Sequence, residues 1–157
     1  MKDFADTLRA FEISSENLDR IRQDALILSD DPDSVKRLDR LVLVNQQAFF
    51  ILFIALFEAE MNRAAAVLID RMKQQVDWRD RRVWDDLEHQ PERIRNIPVM
   101  RKLALLTDKR GAVYRRIKEL YDIRNRIAHG NLLTEEIDVA EVADELQLFA
   151  AGLNEAS

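Results

Sequence analysis

The chain contains no cysteine. That excludes a disulfide framework, a zinc-ribbon site and a thiol nucleophile, and it fits a reducing compartment. Glycine and proline are nearly as scarce, at three each in 157 residues, well below the usual ~7% and ~5%. Sheets need such residues at their turns, so the shortage favours long helices. No repeat, low-complexity tract or Gly/Ser-rich linker divides the sequence, and its length suits one domain spanning residues 1–157. The opening segment, MKDFADTLRA, mixes acids and bases without an apolar stretch. No signal peptide is expected there, and a cytoplasmic location follows as an expectation.

What the chain has in quantity is charge and aliphatic side chains. The formal net charge is −5, which by itself argues against a nucleic-acid partner, but the distribution is uneven. Residues 1–78 carry 10 basic and 14 acidic groups, residues 79–126 carry 14 and 8, and residues 127–157 carry none and 7. One internal segment is therefore basic within an acidic protein, where a polyanion would be attracted while the rest repels it. The alternative is that these arginines pair with acidic neighbours inside the fold.

Helical periodicity runs through almost the whole chain. Leu8, Phe11, Leu18, Ile21, Ala25 and Leu28 define a first helix from Phe4 to about Leu28. Asp30, Asp31 and Pro32 read as the start of a second. That one extends from about Asp33 to Gln75. Its centre, Ala48 to Phe57, is ten uninterrupted apolar residues. A membrane span needs about 20, so the run is expected to be a core or dimer helix rather than a bilayer segment. Shorter helical patterns cover Asp77 to Gln90, a segment restarted at Pro91 and Pro98, and Val99 to Leu106. A clear helix spans Gly111 to His129, stopped by Gly130, and a last one spans Glu135 to Ala151. No strand pattern competes. The expected architecture is all-α, an antiparallel bundle of about five or six helices.

One segment carries a chemical constellation. Between Val113 and Ala128 the apolar positions 113, 117, 120, 121, 127 and 128 form one stripe, and Arg124 falls in the middle of it. A guanidinium at a core-facing position needs a partner or a polar cleft. Arg126 lies on the opposite face, four residues after Asp122, as a solvated pair. Asn125 and His129 are four apart and share a flank, with Tyr121 four residues earlier. His129 stands in the last turn, where the helix dipole favours imidazolium. Guanidinium, amide and imidazole together suit a phosphodiester: Arg binds phosphate oxygens in bidentate fashion, and His exchanges protons with a ribose hydroxyl or leaving oxygen. No carboxylate cluster with metal-ligand spacing accompanies them, so neither metal nor cofactor is expected. Arg115, Arg116 and Lys118 would widen an RNA-binding rim, or are simply solvated.

The run Arg124-Asn125-Arg126-Ile127-Ala128-His129-Gly130 resembles the Arg-polar-x-x-x-His signature of the HEPN superfamily of all-α domains. The resemblance covers residues 111–131. It implies a dimerising helical bundle whose two motifs meet in one composite site, commonly a metal-independent endoribonuclease in toxin–antitoxin or antiviral systems. Under it His129 is the acid/base group, Arg124 the phosphate holder and Asn125 the polar helper. RNA, a second copy of the chain and an antitoxin or defence-system protein are the implied partners. The alternative is a non-catalytic HEPN-like module that binds RNA, nucleotide or protein. A second Arg/His pair, Arg82 and His89 with six residues between, has apolar Val83 after the arginine and no helix stop, and is read as coincidence. In one toxin subgroup a tyrosine two positions after the histidine is a modification site. Here that position is Asn131, so that regulation is not expected. Arg124 has a structural reading too, stacked on Tyr121 or bridged to Glu58 or Glu60.

Overall fold

A computed structural model describes residues 2–28, 32–87 and 91–156. Asp30, Asp31 and His89 lie outside the described residues. Among those described the protein is all-α, with seven helical segments and no strand. They are α1 (Lys2–Leu28), α2 (Pro32–Lys73), α3 (Trp78–Asp85), α4 (Pro91–Ile94), α5 (Val99–Leu106), α6 (Ala112–Ala128) and α7 (Val139–Ala156). Six of them are helices of eight residues or more, within the expected five or six, and α4 is a single turn.

Local chemistry explains most boundaries. Asp33 occupies the first turn of α2, and Arg71 and Lys73 the last, the signs that a helix dipole favours. The N–H groups of Gln74 and Gln75 then bond back three residues, to Arg71 and Met72, and tighten the exit. Asp77 caps α3 by accepting the Arg79 N–H. α3 ends at Asp85, short of the expected Gln90, and α7 runs from Val139 to Ala156 where Glu135 to Ala151 was expected. At the α7 start the reason is local. Asp138 is the cause: its Oδ1 accepts the Glu141 N–H at 2.9 Å, and its carbonyl accepts the Val142 N–H at 3.1 Å. Asp138-x-x-Glu141 is a capping pattern, legible in the sequence but passed over there.

The chain divides into two compact units, whose boundaries fall within α2, α6 and α7. The first comprises Met1–Ala55 with Asp122–Gln147. Its frame is an antiparallel α1–α2 pair: Phe4 meets Phe53, Phe11 meets Phe49, Ser14 Oγ bonds Asn45 Oδ1 at 2.8 Å, and Arg22 pairs with Asp39 at 2.5 Å. Ascending residues on one helix meet descending residues on the other. The buried core of this unit includes Phe4, Phe50, Phe53, Ile54, Ile127, Val142 and Leu146. Each such side chain contributes about 1.5–3 kcal/mol through burial.

The second unit comprises Leu56–Tyr121 with Leu148–Ser157. Phe57, Met61, Ile69, Ile94, Leu103, Ile117 and Leu120 are buried there. It also holds the buried cation Lys102, which is 2% exposed. Its Nζ donates to Asn62 Oδ1 at 2.5 Å and to the Ile94 carbonyl at 3.4 Å.

By length and composition α2 is apolar enough to cross a membrane, with a mean hydropathy of 1.9 in its most apolar window, of which 28% is buried. The apolar run thus has two sides. Phe50, Phe53, Ile54 and Phe57 are buried, whereas Leu41, Val44 and Leu52 are exposed.

Burial holds the Lys102 amine below its ordinary pKa of 10.5, an effect that Arg95 reinforces and Glu58 opposes. The unfolded chain therefore keeps this proton to higher pH than the folded one, so the group's contribution to stability rises as pH climbs toward 10.5. Urea unfolding of wild type and Lys102→Met across alkaline pH should show wild type gaining stability relative to the variant with rising pH. A constant difference between them would contradict this.

Candidate functional site

The site is built on the last turns of α6 and the segment that follows. Ile117, Leu120, Tyr121 and Ile127 are buried on the apolar stripe of α6, and Arg124 on the same stripe is half-buried. Its Nη1 donates to Asn125 Oδ1 at 3.3 Å. Asn125 and His129 are exposed. At about 100° per residue, positions 125 and 129 lie about 40° apart around the helix, but 124 and 129 about 140° apart. The bond to Asn125 draws the guanidinium toward the flank that carries the histidine. It also occupies the amide oxygen, so the amide N–H groups and the remaining guanidinium N–H groups form a set of donors, suited to anionic oxygens.

The helix end beneath His129 is closed by backbone geometry. Gly130 has φ 82°. Its N–H bonds the Ile127 carbonyl at 2.9 Å, and the Asn131 N–H reaches the Arg126 carbonyl at 3.0 Å. These two bonds make a Schellman motif with His129 at the C-cap, as the glycine suggested. The helix itself ends at Ala128, one residue before the expected end.

Residues 131–138 run as a loop, and two glutamines of α2 hold it. Gln47 is buried; its Nε2 donates to the Leu133 carbonyl at 3.0 Å and its Oε1 accepts the Leu133 N–H at 3.1 Å. Gln46 Oε1 accepts the Ile137 N–H at 3.3 Å. Sequence reading treated both glutamines only as a polar border to the apolar run.

The remaining candidates fall in different settings. Tyr121 is buried and takes its place as a stripe residue. Arg115 and Lys118 are exposed, and Arg116 lies 3.6 Å from Glu119 as a surface ion pair. Glu60 pairs with Arg63. Trp78 is 58% exposed, with the guanidiniums of Arg79 and Arg82 5.9 and 5.8 Å from its ring centroid. Arg81 pairs with Asp85 at 3.3 Å. Among the described residues no group of three or more His, Cys, Asp or Glu side chains is placed to hold a metal ion. Compared with family models, curated proteins and solved structures, the chain matches none.

A methyl group on Gly130 would meet nothing within 4 Å, so replacing it tests the backbone alone. Gly130→Ala should lower stability by about 1–2 kcal/mol, the usual cost of the left-handed conformation. Thermal unfolding followed by circular dichroism measures it, and an unchanged Tm would show that the helix end is not held as described.

Proposed function

We propose that this chain is a metal-independent endoribonuclease of the HEPN type, acting as a homodimer in a toxin–antitoxin or antiphage setting in the cytoplasm. The observation that carries this reading is the Arg124–Asn125 donor pair set one turn before an exposed, capped His129. Arg124 and the Asn125 amide hold the non-bridging oxygens of the scissile phosphate. The His129 imidazole takes the proton of the ribose 2′-hydroxyl, and the 2′-oxygen attacks the adjacent phosphorus. The bond from phosphorus to the 5′-oxygen breaks, and that oxygen takes the proton back from the His129 imidazolium, which returns to its neutral form. The products are a 2′,3′-cyclic phosphate and a 5′-hydroxyl.

The angular separation of Arg124 and His129 favours a site completed by a second copy, because groups about 140° apart on one helix converge poorly on one phosphate. In the first unit α2 offers a face for that copy. Leu41, Val44, Ala48, Leu52 and Ala55 are exposed at spacings of three and four residues, the seam pattern of paired helices.

The exposure of Asn125 and His129 also supports a second reading, a non-catalytic module that binds RNA, nucleotide or protein through the same residues. It predicts salt-sensitive binding without scission.

Wild type, incubated with RNA in excess EDTA, should release fragments ending in 2′,3′-cyclic phosphate. His129→Ala should be slower by about 10²-fold or more, and Arg124→Ala should fall with it. Equal cleavage by all three proteins would sink the assignment, and intact RNA throughout would favour the binding module. Leu41→Lys/Leu52→Lys should shift the protein from dimer to monomer in light scattering and abolish cleavage; an unchanged mass would show that α2 is not the dimer face.

A further inference from the structure

A groove of about 710 Å³ lies in the first unit between the start of α2 and residues 132–134, within the range of about 300–1,000 Å³ of small-ligand sites. Leu43, Val44 and Leu132 give it apolar surface, and Lys36, Arg37 and Arg40 contribute three cations. Two carboxylates, Asp33 and Asp39, lie among them. Both are already matched: Asp39 pairs with Arg22 at 2.5 Å, and Asp33 lies 3.2 Å from Lys36. Three cations and two carboxylates thus line the groove, in a protein whose net charge is −5.

The groove shares one wall with a depression beside the helix end. Leu132, Leu133 and Thr134 also line a smaller depression of about 250 Å³ that contains Arg126 and Asn131. Gly130 alone separates Asn131 from His129. A strand leaving the helix end therefore meets Arg126, crosses the 132–134 segment and enters the groove. Gln47 does not read the ligand, since both ends of its amide are bonded to Leu133; it fixes the shared wall.

Building on the ribonuclease reading, we infer that this groove binds the stretch of single-stranded RNA flanking the cleavage point. Lys36, Arg37 and Arg40 neutralise phosphates, and bases lie on the Leu43 and Leu132 surface, while Val44 at the edge belongs to the α2 seam. Recognition is by backbone charge and apolar contact, so it is sequence-tolerant.

The test separates binding from cleavage by measuring both. Fluorescence anisotropy of a short single-stranded RNA on the His129→Ala protein reports binding to uncut RNA. Adding Lys36→Glu/Arg40→Glu should weaken affinity roughly tenfold or more and lower the salt slope by about 2. Leu132→Glu, which places a carboxylate on the floor without touching the rim, should weaken it as well. Arg9→Glu/Arg20→Glu makes the same change in net charge on exposed α1 positions and should leave binding unchanged. Affinity of the rim variant within about twofold of its parent, or a loss no greater than that of the α1 control, overturns the inference. Tighter capture of an acidic polyglutamate peptide than of RNA through the same side chains also overturns it, in favour of a protein partner. If wild type cuts no RNA while the rim variant still loses binding, the ribonuclease reading falls and the groove stands. If wild type cuts RNA and the rim variant binds it as tightly as its parent, the reverse holds.

Discussion

The buried amide of Gln47 is the constraint on which the site depends. A primary amide withdrawn from water costs about 1–3 kcal/mol for each group left unsatisfied. Here both ends are satisfied by a single residue, the N–H and carbonyl of Leu133, at 3.1 and 3.0 Å. That reciprocal pair anchors the loop which follows the end of α6. Gln46 repeats the attachment at Ile137, one residue before the Asp138 cap launches α7. The helix that carries the hydrophobic core thus also positions the segment between His129 and the last helix. The same residues form the wall shared by the groove and the smaller depression beside Arg126.

Upstream of that loop, the chemistry rests on where one helix places a charge. An arginine on an apolar stripe requires compensation, and Arg124 finds part of it in the adjacent Asn125. The bond is modest in itself. Its effect is orientational: it turns a core-facing guanidinium toward the exposed flank and commits the amide to donate outward. His129 then closes the helix at a C-cap whose left-handed glycine satisfies the terminal carbonyls of Ile127 and Arg126. Together these features leave Asn125 and His129 exposed on one flank of the helix end, with Arg124 bonded to Asn125.

The second unit shows the contrasting way of carrying charge. Lys102 is as buried as Gln47 and donates to Asn62 and a backbone carbonyl, and burial depresses its affinity for a proton. The exposed charges of α3 are resolved locally, by cation–π contacts on Trp78 and by the Arg81–Asp85 pair. The basic count of residues 79–126 is therefore partly spent on short-range partners.

The all-α class, the long second helix, the Gly130 stop and the places of Arg124, Asn125 and His129 at one helix end were legible in the sequence, because each depends on near-neighbour spacing along one helix. Periodicity, scarce turn residues and a glycine after a helix are local signals. The Asp138 cap is equally local. What only the tertiary structure decided is long-range. Gln47 and Leu133 are 86 residues apart, and no pattern along the chain predicts that their polar groups would meet. The basic rim at Lys36, Arg37 and Arg40 was hidden for the same reason. Counted along the sequence it lies in an acidic segment, and only folding brings Arg22 to Asp39 and sets the rim against the 132–134 loop. Charge along a chain sums over neighbours in sequence, whereas a ligand responds to neighbours in space.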